Sequence, residues 1–179
     1  RDMFLVYIND IDEGLVSKLS KFADDSKLCK HVSNSSDVDS LKKDLDKLYE
    51  WSQKWQMQFN VDKCSVIHFG CKNKNHIYNL GNHSLKSSAK EKDLGIIVEK
   101  SLKFSDQCSI AVKNASSTLG IIRRHVKSRK KEIIGRLYKS LVRPKLEFCV
   151  QSWSPYLRQD IDSMETVSYT HLRAHETSQ

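Results

Sequence analysis

Two periodicities of apolar and polar positions divide this chain into segments of different predicted structure. Between residues 37 and 56 apolar side chains recur every three or four positions, and charged side chains fill the positions between them. The recurring apolar residues are Val38, Leu41, Leu45, Leu48 and Trp55. This period predicts an amphipathic helix over 37–56, with the capping residues of 33–36 at its start.

A β-hairpin is predicted immediately before this helix. Residues 16–22 and 27–32 have the composition of two short strands, and Asp24-Asp25-Ser26 between them is turn chemistry. Further upstream, the apolar residues between Met3 and Ile11 have the spacing of one face of a helix end. The pattern therefore predicts a helix end followed by a hairpin.

Extended structure is predicted for several segments after the helix. Residues 59–69 are expected to be extended, because side chains alternate between two faces from Ser65 to Phe69, which is the period of a strand. Leu94, Ile96 and Val98 alternate around Gly95 and Ile97 and predict another strand. Gly81-Asn82 in the middle of 78–85 is a turn sequence and predicts a small hairpin there.

From Ser105 onward the period is helical again. Ser105 is a candidate N-cap, and one helix face carries Cys108, Ala111, Ala115, Leu119, Ile122 and Val126. A second helix carries Ile133, Ile134, Leu137, Tyr138 and Leu141, and Pro144 is expected to end or kink it. Strands followed by a helical pair predict the α+β class with a helical appendage.

Composition narrows the class of protein. The chain has 179 residues, of which 39% are hydrophobic and 29% charged, and its mean hydropathy is -0.55. These values are typical of a folded domain with a polar surface and exclude a disordered chain. The longest apolar run, residues 3–8, is too short to span a bilayer, so we expect no membrane partner.

The cysteines and the first residues indicate the compartment. Five cysteines form an odd number without the spacing of a disulfide framework, which predicts free thiols in a reducing environment. The first residues show no basic n-region and no cleavage site, so we expect no signal peptide, and the chain opens on Arg1 rather than on Met, as expected of a segment of a longer protein. We therefore expect an intracellular protein that is not secreted.

Charge is distributed unevenly along the chain. Residues 101–150 hold twelve basic and three acidic residues, a net charge of +9, whereas residues 1–50 have a net charge of -3 from eight basic and eleven acidic residues. Such a concentration of positive charge is typical of proteins that bind a polyanion, most often nucleic acid. A solvated helical surface is the alternative interpretation.

The paired carboxylates at the predicted hairpin tip are the first candidate for chemistry. Asp24 and Asp25 can offer oxygen ligands to Mg²⁺, which prefers such donors. Two ions held about 3.5–4 Å apart can activate an attacking hydroxyl and stabilise a leaving phosphate. The alternative is that the two residues serve only as turn formers.

A zinc site is a weaker hypothesis. Cys64, His68 and Cys71 have the spacing Cys-x3-His-x2-Cys, which is not a common pattern of structural zinc. Cys64 and His68 fall in a predicted strand, where buried side chains with internal partners are expected. Packing is therefore the favoured interpretation of these residues.

Several motifs resemble one protein family in the same order along the chain. The segment Lys21-Phe22-Ala23-Asp24-Asp25-Ser26 resembles the aromatic-Ala-Asp-Asp motif of reverse transcriptases. Residues 5–11 before it are similar to the end of the preceding palm helix. Later segments are similar to the palm and thumb of LINE-type, non-long-terminal-repeat retrotransposons of the jockey-like group: 51–55, 59–64, 92–98, 136–148 and 153–155.

The resemblance implies a partial polymerase palm over 1–103 and a helical, basic thumb over 104–166. Residues 167–179 resemble the translation of a sequencing adapter, and we expect them to be a non-native tail. The implied activity is that of an RNA-directed DNA polymerase, a nucleotidyltransferase that uses Mg²⁺, deoxynucleoside triphosphates, an RNA template and a DNA primer. The expected location is the nucleus or a cytoplasmic ribonucleoprotein, and the oligomeric state stays open.

The resemblance also implies roles for individual residues. Asp24 and Asp25 match the metal-binding catalytic carboxylates. Lys63 matches the position proposed to protonate or steady pyrophosphate, although a surface lysine after a turn is an equal alternative. Gly95 is expected in the strand that grips the primer end. The implied nucleic-acid contacts are Arg123, Arg124, Lys127, Lys130 and Lys131.

Departures from the family pattern leave a second function open. The family uses a third carboxylate from an earlier palm strand, and neither that strand nor the fingers with their nucleotide pocket are recognisable in this sequence. We therefore expect no complete metal site in this chain. The alternative functions are a non-catalytic nucleic-acid-binding remnant of such an element, or a relic sequence without a cellular role.

Overall fold

A computed structural model describes residues 6–128 and 130–176 of the chain, with side chains as far as residue 169. The described residues combine helices with small sheets, which is compatible with the predicted α+β class. Internal contacts divide the chain into two compact units, residues 1–89 and residues 90–179. The division lies before the expected boundary at 103/104, because the strands that follow residue 89 belong to the second unit.

The strands are short and pair only in twos within the described ranges. The hairpin strands β1 (Lys18–Phe22) and β2 (Asp25–Cys29) are antiparallel, and β3 (Ser65–Ile67) pairs in parallel with β6 (Lys86–Ser88). The remaining antiparallel pairs are β4 (Asn79–Leu80) with β5 (His83–Ser84) and β7 (Lys90–Asp93) with β8 (Ile96–Glu99).

Helices form most of the remaining structure. In chain order they are α1 (Ser35–Lys54), α2 (Ser105–His125), α3 (Lys131–Leu137), α4 (Arg143–Glu147), α5 (Val150–Trp153) and α6 (Arg158–Glu176). A 3₁₀ turn spans Val61–Lys63, and a π-helical turn, Tyr138–Val142, joins α3 to α4. None of the helices in the described ranges is long and apolar enough to cross a membrane.

The first unit confirms the predicted hairpin and the helix behind it. Asn34 caps α1, since its side chain accepts a hydrogen bond from the backbone of Asp37 while the Asp37 carboxylate accepts from the backbone of Asn34. Leu48 of α1 is buried in a cluster against which Leu19 of β1 and Leu28 of β2 pack. The apolar face of α1 therefore covers one face of the hairpin.

Some predicted boundaries in this unit are wrong. Of the extended segment predicted over 59–69, only β3 is a strand, because residues 61–63 close into the 3₁₀ turn. Among the described residues at the chain start, residues 6 and 7 are helical and a series of turns follows them. The earlier part of the predicted helix end, including Met3, lies outside the described residues.

The small hairpin around Gly81-Asn82 is confirmed, and its glycine is required for two reasons. The φ angle of Gly81 is +58°, a conformation that disfavours any side chain. A Cβ atom at this position would also clash with Cε2 of the Tyr49 ring. The turn therefore needs glycine for its backbone and for the packing of the tyrosine ring.

The second unit has its core along α2. Ala115, Leu119 and Ile122 of the predicted apolar face are buried together with Val142 and Leu146 of the following segments. Cys108 and Ala111 from the same face pack with Ile96 and the fully buried Trp153. The helical period of 105–126 therefore predicted this core face correctly.

The start of α2 differs from the expectation. Phe104, with φ +51°, occupies the N-cap position, and Ser105 is the first residue of the helix. The Ser105 hydroxyl donates to the Asp160 carboxylate at 2.9 Å instead of capping its own helix. A contact to α6, 55 residues away in sequence, therefore replaces the predicted local cap.

Pro144 separates two helical segments, as predicted. It lies in the first turn of α4, where a missing N–H needs no intrahelical partner. The chain widens into the π-helical turn just before it, since proline cannot continue the hydrogen-bond ladder of α3. Residues 167–176, which belong to the expected non-native tail, continue α6, and Val167 among them is buried in the core of the second unit. The adapter-like origin of the tail stays a prediction.

Candidate functional site

The tip of the first hairpin presents two adjacent carboxylates. Phe22 pairs with Asp25 in the strand register, which leaves only Ala23 and Asp24 in the loop. The predicted turn Asp24-Asp25-Ser26 is therefore shifted by one residue, and Asp25 already belongs to β2. Ala23 has a φ of +52°, a conformation that makes a tight reversal possible at some cost for a residue with a side chain.

Both carboxylates are exposed and available to a cation. Asp24 and Asp25 lie at the surface, and neither carboxylate has a hydrogen-bond or ion-pair partner in the described part of the chain. Their oxygen donors suit Mg²⁺ chemically. Among the described residues no group of three or more histidine, cysteine or acidic side chains could hold a metal ion together. In the part of the chain that the structure describes, the hairpin therefore presents two candidate ligands and no third acidic ligand beside them.

A buried aspartate fixes the base of this hairpin to α1. The side chain of Asp44 is 1% exposed, and its two oxygens accept three hydrogen bonds. The donors are Val16 N at 3.1 Å, Ser17 N at 2.8 Å and Ser17 Oγ at 2.5 Å. Burial raises the pKa of Asp44, but these hydrogen bonds together outweigh it and hold the pKa below its ordinary value. The ionised carboxylate therefore anchors the chain just before β1.

A lysine in β1 holds the strand to the turns that precede it. Lys21 Nζ donates to the backbone oxygens of Ile8 at 3.3 Å and Asn9 at 3.1 Å, and forms a 2.7 Å ion pair with Asp12. The hydrogen bond from Lys21 lowers the pKa of Asp12. Lys21 belongs to the sequence motif around Asp24, so the structure gives it a positioning contact that the sequence did not predict.

Asp44 was missed by the sequence reading, although a signal was present. It lies three residues after Leu41 and four before Leu48, which places it within the buried face of α1. An acidic residue on such a face is almost never fully buried without partners. Its position was therefore a sign of a hydrogen-bonded carboxylate that went unused, and it could not have identified Ser17 as the partner.

The structure places Lys63 at the protein surface. Lys63 is exposed at the end of the 3₁₀ turn, and no hydrogen bond or ion pair joins it to either hairpin aspartate in the described residues. Its role in catalysis stays a prediction.

The expectation that Gly95 lies within a strand is wrong. Leu94 and Gly95 form the two-residue loop between β7 and β8, with φ angles of +46° and +89°. A Cβ atom on Gly95 would lie 3.1 Å from Cε1 of Phe148. The turn needs positive φ angles, which glycine adopts without strain. The missing side chain of Gly95 also leaves room for the ring of Phe148, which belongs to the same unit.

The predicted nucleic-acid contacts gather around the connection between α2 and α3. We name this set of five cations the basic loop: Arg123, Arg124, Lys127, Lys130 and Lys131. All five are exposed, whereas the neighbouring Ile122 is buried in the core. Arg123 and Arg124 also lie in the last turn of α2, where the helix dipole favours positive charge. Folding therefore keeps the five cations of the basic loop at the surface.

The residues of the zinc hypothesis have packing contacts. The buried ring of His68 stacks on Tyr78, with 6.1 Å between the ring centres. Cys64 Sγ donates to the backbone oxygen of Asn60 at 3.3 Å, and burial raises the pKa of its thiol. Cys71 is an exposed free thiol. Ring stacking and a hydrogen bond therefore explain the positions of His68 and Cys64, and no metal is needed to explain them.

No protein-family model matches the chain, and no curated protein and no solved structure matches it either.

Proposed function

We propose that this chain supplies the later part of the palm and the thumb of an RNA-directed DNA polymerase of a LINE-type retrotransposon. The observation that carries the proposal is the tight hairpin, which presents the adjacent carboxylates of Asp24 and Asp25 at an exposed tip. The ordered motifs along the sequence support the same function.

In the proposed reaction Asp24 and Asp25 supply oxygen ligands and negative charge for the cation. Bound Mg²⁺ would activate the primer 3′-hydroxyl and stabilise the departing pyrophosphate. Asp44 and Lys21 hold the two ends of β1, so the position of the tip does not depend on the loop alone. The basic loop would contact the phosphates of the template and primer, largely without reading sequence.

A reconstitution experiment tests the polymerase proposal. The chain is joined to the fingers and first palm strand of a LINE-type reverse transcriptase, and primer extension is measured on an RNA template with Mg²⁺. We expect extension by the fusion and none by the chain alone, because no third acidic ligand accompanies Asp24 and Asp25 in the described residues. Robust extension by the chain alone would contradict the proposed division of the site.

Matched variants make the same experiment specific for the hairpin. Asp24→Asn in the fusion is expected to lower extension by at least about a hundredfold, because the metal loses a charged ligand. Asp46→Asn removes the same charge from an exposed position on α1 and should leave the rate unchanged. Equal activity of the two variants would overturn the role of the hairpin.

Nucleic-acid binding without catalysis is the second candidate function. The specific observation in its favour is the basic loop, whose cations are all exposed. Binding through phosphate contacts should weaken steeply with salt, since each contact releases counterions. This candidate needs no metal site, so it can be tested on the chain itself.

Fluorescence anisotropy with single-stranded RNA at several salt concentrations tests this candidate. Replacement by alanine is made at Arg123, Arg124, Lys130 and Lys131. The log–log salt slope should flatten by about 2–3 units if most of these residues contact phosphate. A control variant removes equal charge at exposed positions of the first unit: Lys42, Lys43, Lys72 and Lys74. Equal slopes for the two variants, or no binding at low salt, would refute a specific role of the basic loop.

A further inference from the structure

Two serines of the second unit lie in a basic sequence context. Ser128 is preceded by Arg124 and Lys127 and followed by Lys130 and Lys131. Ser140 follows Arg136 and Lys139 and precedes Arg143. Protein kinases that select basic substrates recognise this charge pattern around a hydroxyl. The sequence alone therefore offers two candidate modification sites.

The structure makes Ser140 a poor kinase substrate. It lies within the π-helical turn Tyr138–Val142, so its backbone is helical on both sides. Its hydroxyl lies within hydrogen-bond distance of two backbone oxygens, Arg136 O at 2.9 Å and Leu137 O at 3.3 Å. Although Ser140 is exposed, a kinase would have to unwind this turn to reach its oxygen.

Ser128 has the opposite environment. It lies in the loop between α2 and α3, and the residues at both ends of this loop are extended, with φ and ψ of -90° and 106° at Val126 and of -60° and 127° at Lys130. Ser128 Oγ accepts a long hydrogen bond from Lys130 N at 3.5 Å. Its own hydroxyl proton has no acceptor among the described residues, and the side chain is partly exposed.

We propose that Ser128 is a phosphorylation site for a protein kinase selective for basic sequences, and that its phosphate releases RNA from the basic loop. The Ser128 oxygen attacks the γ-phosphorus of ATP as its proton passes to the base of the kinase. The bond to the β-phosphate oxygen breaks and ADP leaves. The proposed phosphorylation does not depend on any nucleic-acid function, whereas the release of RNA rests on the nucleic-acid binding proposed above.

The phosphate would compete with RNA for the same side chains. It adds a charge of about -1.5 to -2 at pH 7 and three strong acceptor oxygens, next to Lys127 and Lys130. If two cations of the basic loop pair with it, the salt slope of RNA binding flattens by about 1.4 units. The expected loss of affinity at low salt is about tenfold.

Phosphate incorporation tests the site without nucleic acid. The full chain is incubated with ATP, Mg²⁺ and the catalytic domain of protein kinase C, and the product is mapped by mass spectrometry. We expect stoichiometric phosphate on Ser128, its loss in Ser128→Ala and its retention in Ser140→Ala. Phosphorylation of Ser140 at an equal rate, or none at Ser128, would overturn the assignment.

RNA binding by the same preparations tests the regulation. The phosphorylated chain should bind single-stranded RNA about tenfold more weakly than the unmodified chain. Ser128→Ala treated with kinase should bind like the unmodified chain. Equal binding with and without phosphate would overturn the regulation alone. Failure of the unmodified chain to bind would overturn the proposed nucleic-acid function and the regulation together, while the mapping would still decide the site.

Discussion

Replacing Asp44 by asparagine should loosen the hairpin that carries Asp24 and Asp25. The substitution keeps the size of the side chain and removes its charge and one acceptor oxygen. Ser17 N and Ser17 Oγ both donate to one carboxylate oxygen of Asp44, and the amide oxygen of asparagine can still accept these two bonds. Val16 N, which donates to the other oxygen at 3.1 Å, would then face an NH₂ group. One hydrogen bond is lost and two lose their charge.

The expected cost follows from these contacts. Hydrogen bonds to a charged group contribute about 1.5–3 kcal/mol. Val16 N lies in a partly buried bond, so leaving it unpaired costs about 1 kcal/mol, the lower end of the range for a buried donor. We therefore expect Asp44→Asn to lower the free energy of unfolding of the first unit by about 2 kcal/mol and Asp44→Ala by about 3–4 kcal/mol. Asp46→Asn, on the exposed face of the same helix, should change it by less than about 0.5 kcal/mol.

The effect should depend on pH in a defined direction. The pKa of Asp44 in the folded state lies below its ordinary value of 3.8, so its contribution to stability is fully present above the unfolded pKa. It disappears as the pH falls through the folded pKa. The stability difference between the parent chain and Asp44→Asn should therefore be largest near pH 7 and shrink below about pH 4.

Urea unfolding followed by circular dichroism measures the stability, and hydrogen exchange with mass spectrometry locates the change. Peptides that contain Val16 and Ser17 should exchange faster in Asp44→Asn, whereas peptides from α2 should keep their protection. Unchanged exchange in the hairpin, or equal effects of Asp44→Asn and Asp46→Asn, would refute the anchoring role of Asp44.

Three further predictions concern the packing of the chain. Gly81→Ala should destabilise the first unit by about 2–4 kcal/mol in urea unfolding, because backbone strain at a positive φ adds to the clash with the Tyr49 ring. Gly70→Ala is the control: its φ is +89° and the space around it is open, so it should cost only about 1–2 kcal/mol. Trp153→Ala should cost about 3–5 kcal/mol in the same assay, since its side chain is fully buried. Cys108 should resist iodoacetamide at pH 8 while the exposed cysteines react, because burial and then the nearby Asp160 charge raise its pKa to about 11; equal alkylation would contradict this.

The elements with a regular period were determined by the sequence alone. The buried face of α2, the buried Val38 and Leu48 of α1, the first hairpin and the small hairpin around Gly81 were all predicted from residues a few positions apart. The prediction is wrong for Trp55, which was expected on the same apolar face of α1 but follows the end of the helix and is 39% exposed. Such patterns are local, because a helix or a tight turn places near neighbours in the sequence on one face or at one tip. The adjacency of Asp24 and Asp25 is local in the same sense.

Only the tertiary structure decided the features that join distant residues. The partners of Asp44 lie 27 and 28 residues away, the parallel pairing of β3 with β6 joins strands about 20 residues apart, and Gly95 approaches Phe148. Ser128 and Ser140 have similar basic neighbours in the sequence, but Ser128 lies in a loop, whereas the hydroxyl of Ser140 is bonded to backbone oxygens of a helical turn. These outcomes depend on which surfaces meet in the folded chain and which hydrogen bonds survive burial, and no pattern of neighbouring residues encodes that choice.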